Sequence, residues 1–185
     1  MAERLTKEFF ERESSEVAKS LCGKLLVREY DGSRLSAIIT QSDAYALVNG
    51  SVKETRTNKG AFYPAAAIHM YPSQGQYMLA ISTLRQGAYN EILIRRAEPL
   101  EGLERMGVNR NSRDKRSLTN GPGKIVQAFA LDADWDSRPI TNSEWGLWIE
   151  NASNNECGKP NPKVNIDQSA PSGGKDFVGR YTLAK

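Results

Sequence analysis

One histidine, His69, and two cysteines, Cys22 and Cys157, are all the soft metal ligands in the chain, and no Cys/His zinc spacing can be built from them. A Walker loop, a Gly-x-Gly-x-x-Gly turn and a nucleophile elbow are missing too, so no motif points to nucleotide hydrolysis, dinucleotide binding or serine-based acyl transfer. The side chains left to do chemistry are carboxylates, guanidiniums and phenols, which can move protons, face a developing positive charge or stack on a flat ligand. Residues of these types are spread along the chain, Asp43 and Tyr45 in Asp43-Ala44-Tyr45, Tyr71 ahead of Pro72-Ser73-Gln74-Gly75 and Arg95 in ILIRRA (92–97) among them, and composition and spacing alone do not set these apart. As bare residues each has a structural explanation: Asp43 as a strand-end carboxylate capping the next loop, Arg95 as half of a buried ion pair, and Tyr45 and Tyr71 as half-buried strand tyrosines.

The net charge of +3 is too small to announce a nucleic-acid partner, but it is unevenly spread. Residues 85–124 hold nine basic and five acidic side chains, whereas residues 125–185 hold six and eight. Within the basic region Arg110, Arg113, Lys115 and Arg116 lie in a Gly/Asn/Ser-rich loop that reads equally as a phosphate-contacting segment or as a solvated loop.

At 185 residues, with 39% hydrophobic and 25% charged, the chain suits one soluble domain, residues 1–185. No apolar run nears the roughly 18 residues of a membrane helix. The mixed-charge start, MAERLTKEFFERESSEVAKSL, lacks the apolar region of a signal peptide, so both cysteines are expected as free thiols in a reducing compartment.

The elements that must position these groups follow from local pattern. Thr6 reads as an N-cap with Glu8, Phe9 and Phe10 in a short helix, and Val17, Ala18 and Leu21 mark one face of a second helix beginning near Ser14 or Ser15 and stopped at Gly23. Lys24 to Tyr30 and Arg34 to Gln41 flank Asp31-Gly32, a tight hairpin signal. Ala67 to Tyr71 and Tyr77 to Thr83 form another hairpin with a projecting tip, and Ile92 to Ala97 a further strand that Glu98-Pro99 ends before a helix from about Leu100 to Met106. Asn120-Gly121-Pro122-Gly123 leads into a helix with Ile125, Val126 and Phe129 on one face, and two late strands fall near Glu144 to Glu150 and Asp176 to Leu183. Hairpins interspersed with short helices, without regular strand–helix alternation, give an α+β domain: a curved antiparallel sheet with a protruding β-hairpin and flanking short α-helices.

Three blocks carry a resemblance: Leu5 to Val27 (LTKEFFERESSEVAKSLCGKLLV), Ile92 to Glu101 (ILIRRAEPLE) continuing to Arg105-Met106, and Leu118 to Gln127 (LTNGPGKIVQ). Their order and spacing resemble the 3-methyladenine (alkylpurine) DNA glycosylases from about Leu5 to Asp132, with weaker likeness in Pro162 to Ile166 and Phe177 to Leu183. The resemblance implies a monofunctional glycosylase that flips a damaged purine out of duplex DNA and lets water attack C1′, a reaction of base excision repair needing no metal, cofactor or lysine Schiff base. It implies that Asp43 is the water-activating acid, where glutamate is usual, that Arg95 is a second ligand of that water, and that the Val164 carbonyl completes its cage. The substitution shortens the side chain by about 1.5 Å, and misplacement on the order of 1 Å can cost roughly a hundredfold in rate.

The same resemblance makes Tyr45 and Tyr71 the aromatic walls for the base and puts Gln74 where a large wedging residue is usual at the hairpin tip. The implied DNA-contacting set is Gln74 and Ser73, the basic residues Arg110, Arg113, Lys115 and Arg116, and Gly121, Gly123 and Lys124. Four positions depart from the pattern. The pocket histidine is absent, with Glu54 or Thr55 nearest its place; the selective asparagine is Ala80, or Ile81 with a shifted gap; Gln41 stands two before the acid where a glutamate is usual; and Asn165 replaces a glycine. Lost hydrogen-bonding groups broaden or weaken base selection. The expected partner is double-stranded DNA containing damaged purines, engaged by a monomer without membrane or nucleotide cofactor, in the bacterial cytoplasm at the nucleoid or in a eukaryotic nucleus. The alternative is a relative that binds DNA, or structured RNA, without cleaving it.

Overall fold

The antiparallel pattern begins at Asp31-Gly32, where both residues take positive φ (48° and 70°) and turn β1 (Lys24–Tyr30) into β2 (Ser33–Ala46). The computed structural model describes residues 2–47, 58–84, 89–153, 163–169 and 176–184. Ahead of β1 lie helices α1 (Lys7–Phe10) and α2 (Ser14–Leu21), the latter followed by Gly23 at φ 91°, the left-handed conformation expected of a helix stop. Next come β3 (Ile68–Ser73), β4 (Gln76–Ser82), β5 (Asn90–Glu101), α3 (Leu103–Asn109), α4 (Pro122–Ala128), β6 (Leu147–Asn151), β7 (Val164–Asp167) and β8 (Phe177–Leu183).

The eight strands form one antiparallel sheet in the order β3-β4-β5-β2-β1-β6, with β7 pairing β8 and β8 pairing β2. One edge of β2 is therefore shared: residues 33–38 pair with β1, and residues 41–45 pair with β8. Irregularities in the β2–β5 ladder between Ile39 and Gln41, and between Gln41 and Ser42, bend the strand where its partner changes. The structure is the α+β arrangement expected, and its hairpin does protrude. β4 pairs with β5 only over Ala80–Ser82, whereas the β3–β4 ladder runs on to Ser73 opposite Gln76 and turns at Gln74-Gly75, both at positive φ.

Helices α2 and α4 cover one face of the sheet. Val17, Ala18 and Leu21 of α2 and Ile125, Val126 and Phe129 at α4 bury against Ile39, Leu79, Ile81, Ile92 and Ile94, one contiguous apolar core. Among the described residues no helix is long and apolar enough to cross a membrane. Cys22 is a buried free thiol, and Cys157 lies outside the described residues.

Three expectations are corrected. Pro99 does not end its strand: β5 continues to Glu101, with Pro99 opposite Ala37 beside a register shift, a place where a missing N–H is tolerated. The helix after it starts at Leu103, because Gly102 at φ 72° first turns the chain, and it runs to Asn109. The strand expected from Glu144 begins only at Leu147, after a 3-10 turn over Ser143–Trp145, and β7 was not anticipated as a strand.

Candidate active site

The strand register builds the site. Cα partners align His69, Ala80, Leu93, Asp43 and Arg180 in one row across β3, β4, β5, β2 and β8. A second row, two residues along on β4, β5 and β2 and three along on β8 across a register shift, aligns Ser82, Glu91, Tyr45 and Phe177. Opposed residues project from the same face of a sheet, and the residues next to these rows in sequence, Met70, Ile81, Ile92, Ala44 and Tyr181, all enter the core, so both rows occupy the other face. Tyr71 and Arg95 share that face by alternation, two residues beyond His69 and Leu93.

Asp43 is fully buried there. Arg180 grips it with a two-pronged fork, Nε donating to Oδ1 at 2.7 Å and Nη2 to Oδ2 at 2.9 Å. Arg95 Nη1 approaches Oδ2 at 3.5 Å from β5. A carboxylate offers about four acceptor positions, of which the fork uses two and Arg95 faces a third. The Asp43 hydrogen bond in turn holds the Arg180 guanidinium still more firmly protonated than usual. Asp43 thus lies within a strand and not at its end.

Tyr71 is held as a neutral phenol, its pKa raised by burial and then by the nearby Glu91, Tyr45 and Asp43 charges, against the opposite pull of Arg95. The structure therefore brings Asp43, Arg95, Tyr45 and Tyr71 into one neighbourhood. The Tyr45 ring meets Phe177 edge-on, with centroids 5.8 Å apart. Ala80 sits in the same row, between His69 and Leu93. Against Tyr71 lies a buried pair, His69 Nδ1 and Glu91 Oε2, 2.8 Å apart, whose carboxyl is pushed up by burial and pulled back by the histidine.

Val164 stands apart from this group. It opens β7 opposite Leu183, with β8 between it and Asp43. Glu54 and Thr55 lie outside the described residues.

At the hairpin, Gln74 is exposed at the tip and Ser73 pairs with Gln76. A Cβ on Gly123 would fall 1.8 Å from Gln76 Oε1, so the start of α4 lies close against the hairpin and a larger residue there would have to push the Gln76 side chain aside. Gly121 is the N-cap residue of that helix, and Lys124 donates to Asn120. The basic loop is heterogeneous. Arg110 is turned inward, its guanidinium donating to the Ser117 and Leu118 carbonyls, while Lys115 pairs with Glu104. Arg113 and Arg116 are exposed, the Arg116 side chain almost wholly so at 99%.

Two groups escaped the reading of residues. Arg180 lay in a segment read as a late strand with weak family likeness and was given no role, and its partnership with Asp43 spans 137 positions in sequence, legible only from the β2–β8 register. His69 was weighed only as a zinc ligand, although its spacing from Tyr71 already put both on one strand face.

Comparison with known proteins places the chain in a family. A family model described as methylpurine-DNA glycosylase matches residues 8–185. A protein of Natranaerobius thermophilus provisionally named 3-methyladenine DNA glycosylase is 33% identical over 89% of this chain and 88% of its own. One of Chlorobaculum parvum with the same provisional name is 30% identical over 95% and 87%. The mouse DNA-3-methyladenine glycosylase is 33% identical over 80% of this chain and 48% of its own length.

Proposed function

Because the chain belongs to the methylpurine-DNA glycosylase family, and so to the DNA-repair hydrolases that cut glycosyl bonds, we propose that it excises alkylated or deaminated purines from duplex DNA by base flipping and attack of water at C1′. The observation that carries the reading is a fully buried carboxylate, forked by Arg180 and faced by Arg95, beside two tyrosines.

In this reading the N-glycosidic bond breaks with its electron pair going to the base, leaving a sugar of oxocarbenium character. Asp43 faces that positive charge as an anion and accepts the proton of the attacking water, whose oxygen bonds to C1′. Arg95 orients the water. Arg180 positions Asp43, compensating for a side chain one methylene shorter than the family's usual acid. Tyr45 and Tyr71 receive the everted base, and their π-faces replace the stacking lost in the duplex. Gln74 fills the vacated stack, with Ser73 beside it, while Arg113, Arg116 and the Gly121–Lys124 segment hold phosphates. The protein acts as a monomer.

The test is single-turnover excision from duplexes carrying 3-methyladenine, 7-methylguanine, ethenoadenine or hypoxanthine, with the protein unaltered and with Asp43→Asn. The expected result is excision by the unaltered protein that falls at least about a hundredfold in the variant. Salt-sensitive duplex binding without excision of any of the four bases, by folded protein, would overturn it and leave a DNA-binding relative.

A further inference from the structure

His69 is the chain's one histidine, is fully buried, and lies on the face and in the row that hold Asp43. Its surroundings are tightly specified. Tyr71 lies against the ring with centroids 5.0 Å apart and planes tilted by 37°, and Tyr63 meets it edge-on at 6.0 Å. Gly60 presses so closely that a Cβ there would overlap His69 Cγ at 1.8 Å. Nδ1 is committed to Glu91 at 2.8 Å, yet Nε2, equally removed from solvent, has no hydrogen-bond partner among the described residues. Nearly all buried polar atoms are paired, and one left open beside a binding wall is a vacancy with a chemical preference.

Resting on the glycosylase reading above, we infer that His69 Nε2 is the group that reads the edge of the everted purine, with Glu91 as its positioning residue. A carboxylate on Nδ1 draws the ring proton to Nδ1 and leaves Nε2 as an acceptor. The complementary ligand presents an N–H, such as the ring N1–H of a deaminated purine or the exocyclic amine of an adenine. Ethenoadenine, whose N1 and N6 are bridged by carbon, offers no N–H on that edge. The site is therefore selective for purines that keep a hydrogen-bond donor there. His69 stands on strand β3 against Tyr71, so this base contact would be supplied by a framework element and not by a loop.

The experiment compares hypoxanthine and ethenoadenine duplexes of one sequence in two assays. One is single-turnover excision; the other is equilibrium affinity in an Asp43→Asn background, which leaves the lesion in place. Each is run with His69 intact, with His69→Phe, and with the paired change His69→Phe/Glu91→Leu, which removes the stranded carboxylate should the single variant fold poorly. The hypoxanthine-to-ethenoadenine ratio should fall about tenfold to a hundredfold in both variants, with ethenoadenine itself moving less than about threefold. Glu91→Gln, which keeps an acceptor for Nδ1–H, should retain most of the discrimination. A ratio unmoved in excision or affinity by either His69 variant overturns the inference while leaving the glycosylase reading intact. Absence of excision with a His69-dependent affinity ratio overturns the glycosylase reading instead and supports His69 as the base reader.

Discussion

Replacing Arg180 with glutamine removes the fork that holds Asp43 and so asks whether this pair organises the site. Two unit charges about 4 Å apart attract by about 4 kcal/mol at an effective dielectric of 20, and breaking a buried pair typically costs about 3–5 kcal/mol because the remaining charge is stranded. Here the Arg180 side chain retains 16% exposure and Arg95 still faces the carboxylate at 3.5 Å, both of which soften the loss. The expected destabilisation is about 2–4 kcal/mol, a fall in Tm of roughly 5–15 °C for a chain of this size. Asp43→Asn/Arg180→Gln should be less unstable than the sum of its singles by at least about 1.5 kcal/mol, measured by urea unfolding of all four proteins. Single-turnover excision by Arg180→Gln should drop about a hundredfold, since a carboxylate free to swing on the order of 1 Å no longer holds water in line. A Tm within 2 °C of the unaltered protein, together with additive single-variant effects, would refute the reasoning.

Gly60→Ala should destabilise by about 3 kcal/mol, the upper end of overpacking, because its new methyl collides with His69, whereas Gly32→Ala, with open space around it and only its φ of 70° to strain, should cost about 1 kcal/mol; thermal melts of the two separate packing from backbone strain. Burial pushes the Cys22 thiol up from 9.0 to about 11, so the unfolded chain ionises first and stability falls as pH rises through that window; urea unfolding at pH 9 and 11 should show a loss roughly 2–3 kcal/mol larger for the unaltered protein than for Cys22→Ala. Arg113→Gln and Arg116→Gln should each reduce the slope of log affinity against log salt by about 1 for undamaged duplex, while Arg110→Gln, whose guanidinium is bound to backbone carbonyls, should lower Tm instead.

Local chemistry was legible wherever a short segment decides its own conformation. Asp31-Gly32 specifies its turn, Val17-Ala18-Leu21 its buried helix face, and Pro122 the start of α4, and each needs only its neighbours. Asp43, Arg95, Tyr45 and Tyr71 could be named together because a resemblance supplied their association, and the register then gave them one face. What escaped depended on distant partners. Pro99 reads as a breaker unless the register shift opposite Ala37 is known, and β7 is a strand only because β8 offers it an edge. Arg180 is an ordinary strand arginine until β8 lies beside β2. His69 gains meaning only once Glu91, 22 residues on, takes one of its two nitrogens.

The irregular stretch of β2 from Ile39 to Ser42 acts as a parity element. Upstream, Ala37 and Ile39 point into the oily interior; downstream, the offset lets Ala44 do so and turns Asp43 to the opposite side. Deleting one residue from this stretch would invert every position after it, driving an anion into the aliphatic layer and setting Ala44 before Arg180. This segment should therefore accept many changes of side chain yet almost no change of length, and a library of single-codon deletions would find there a narrow window of complete loss.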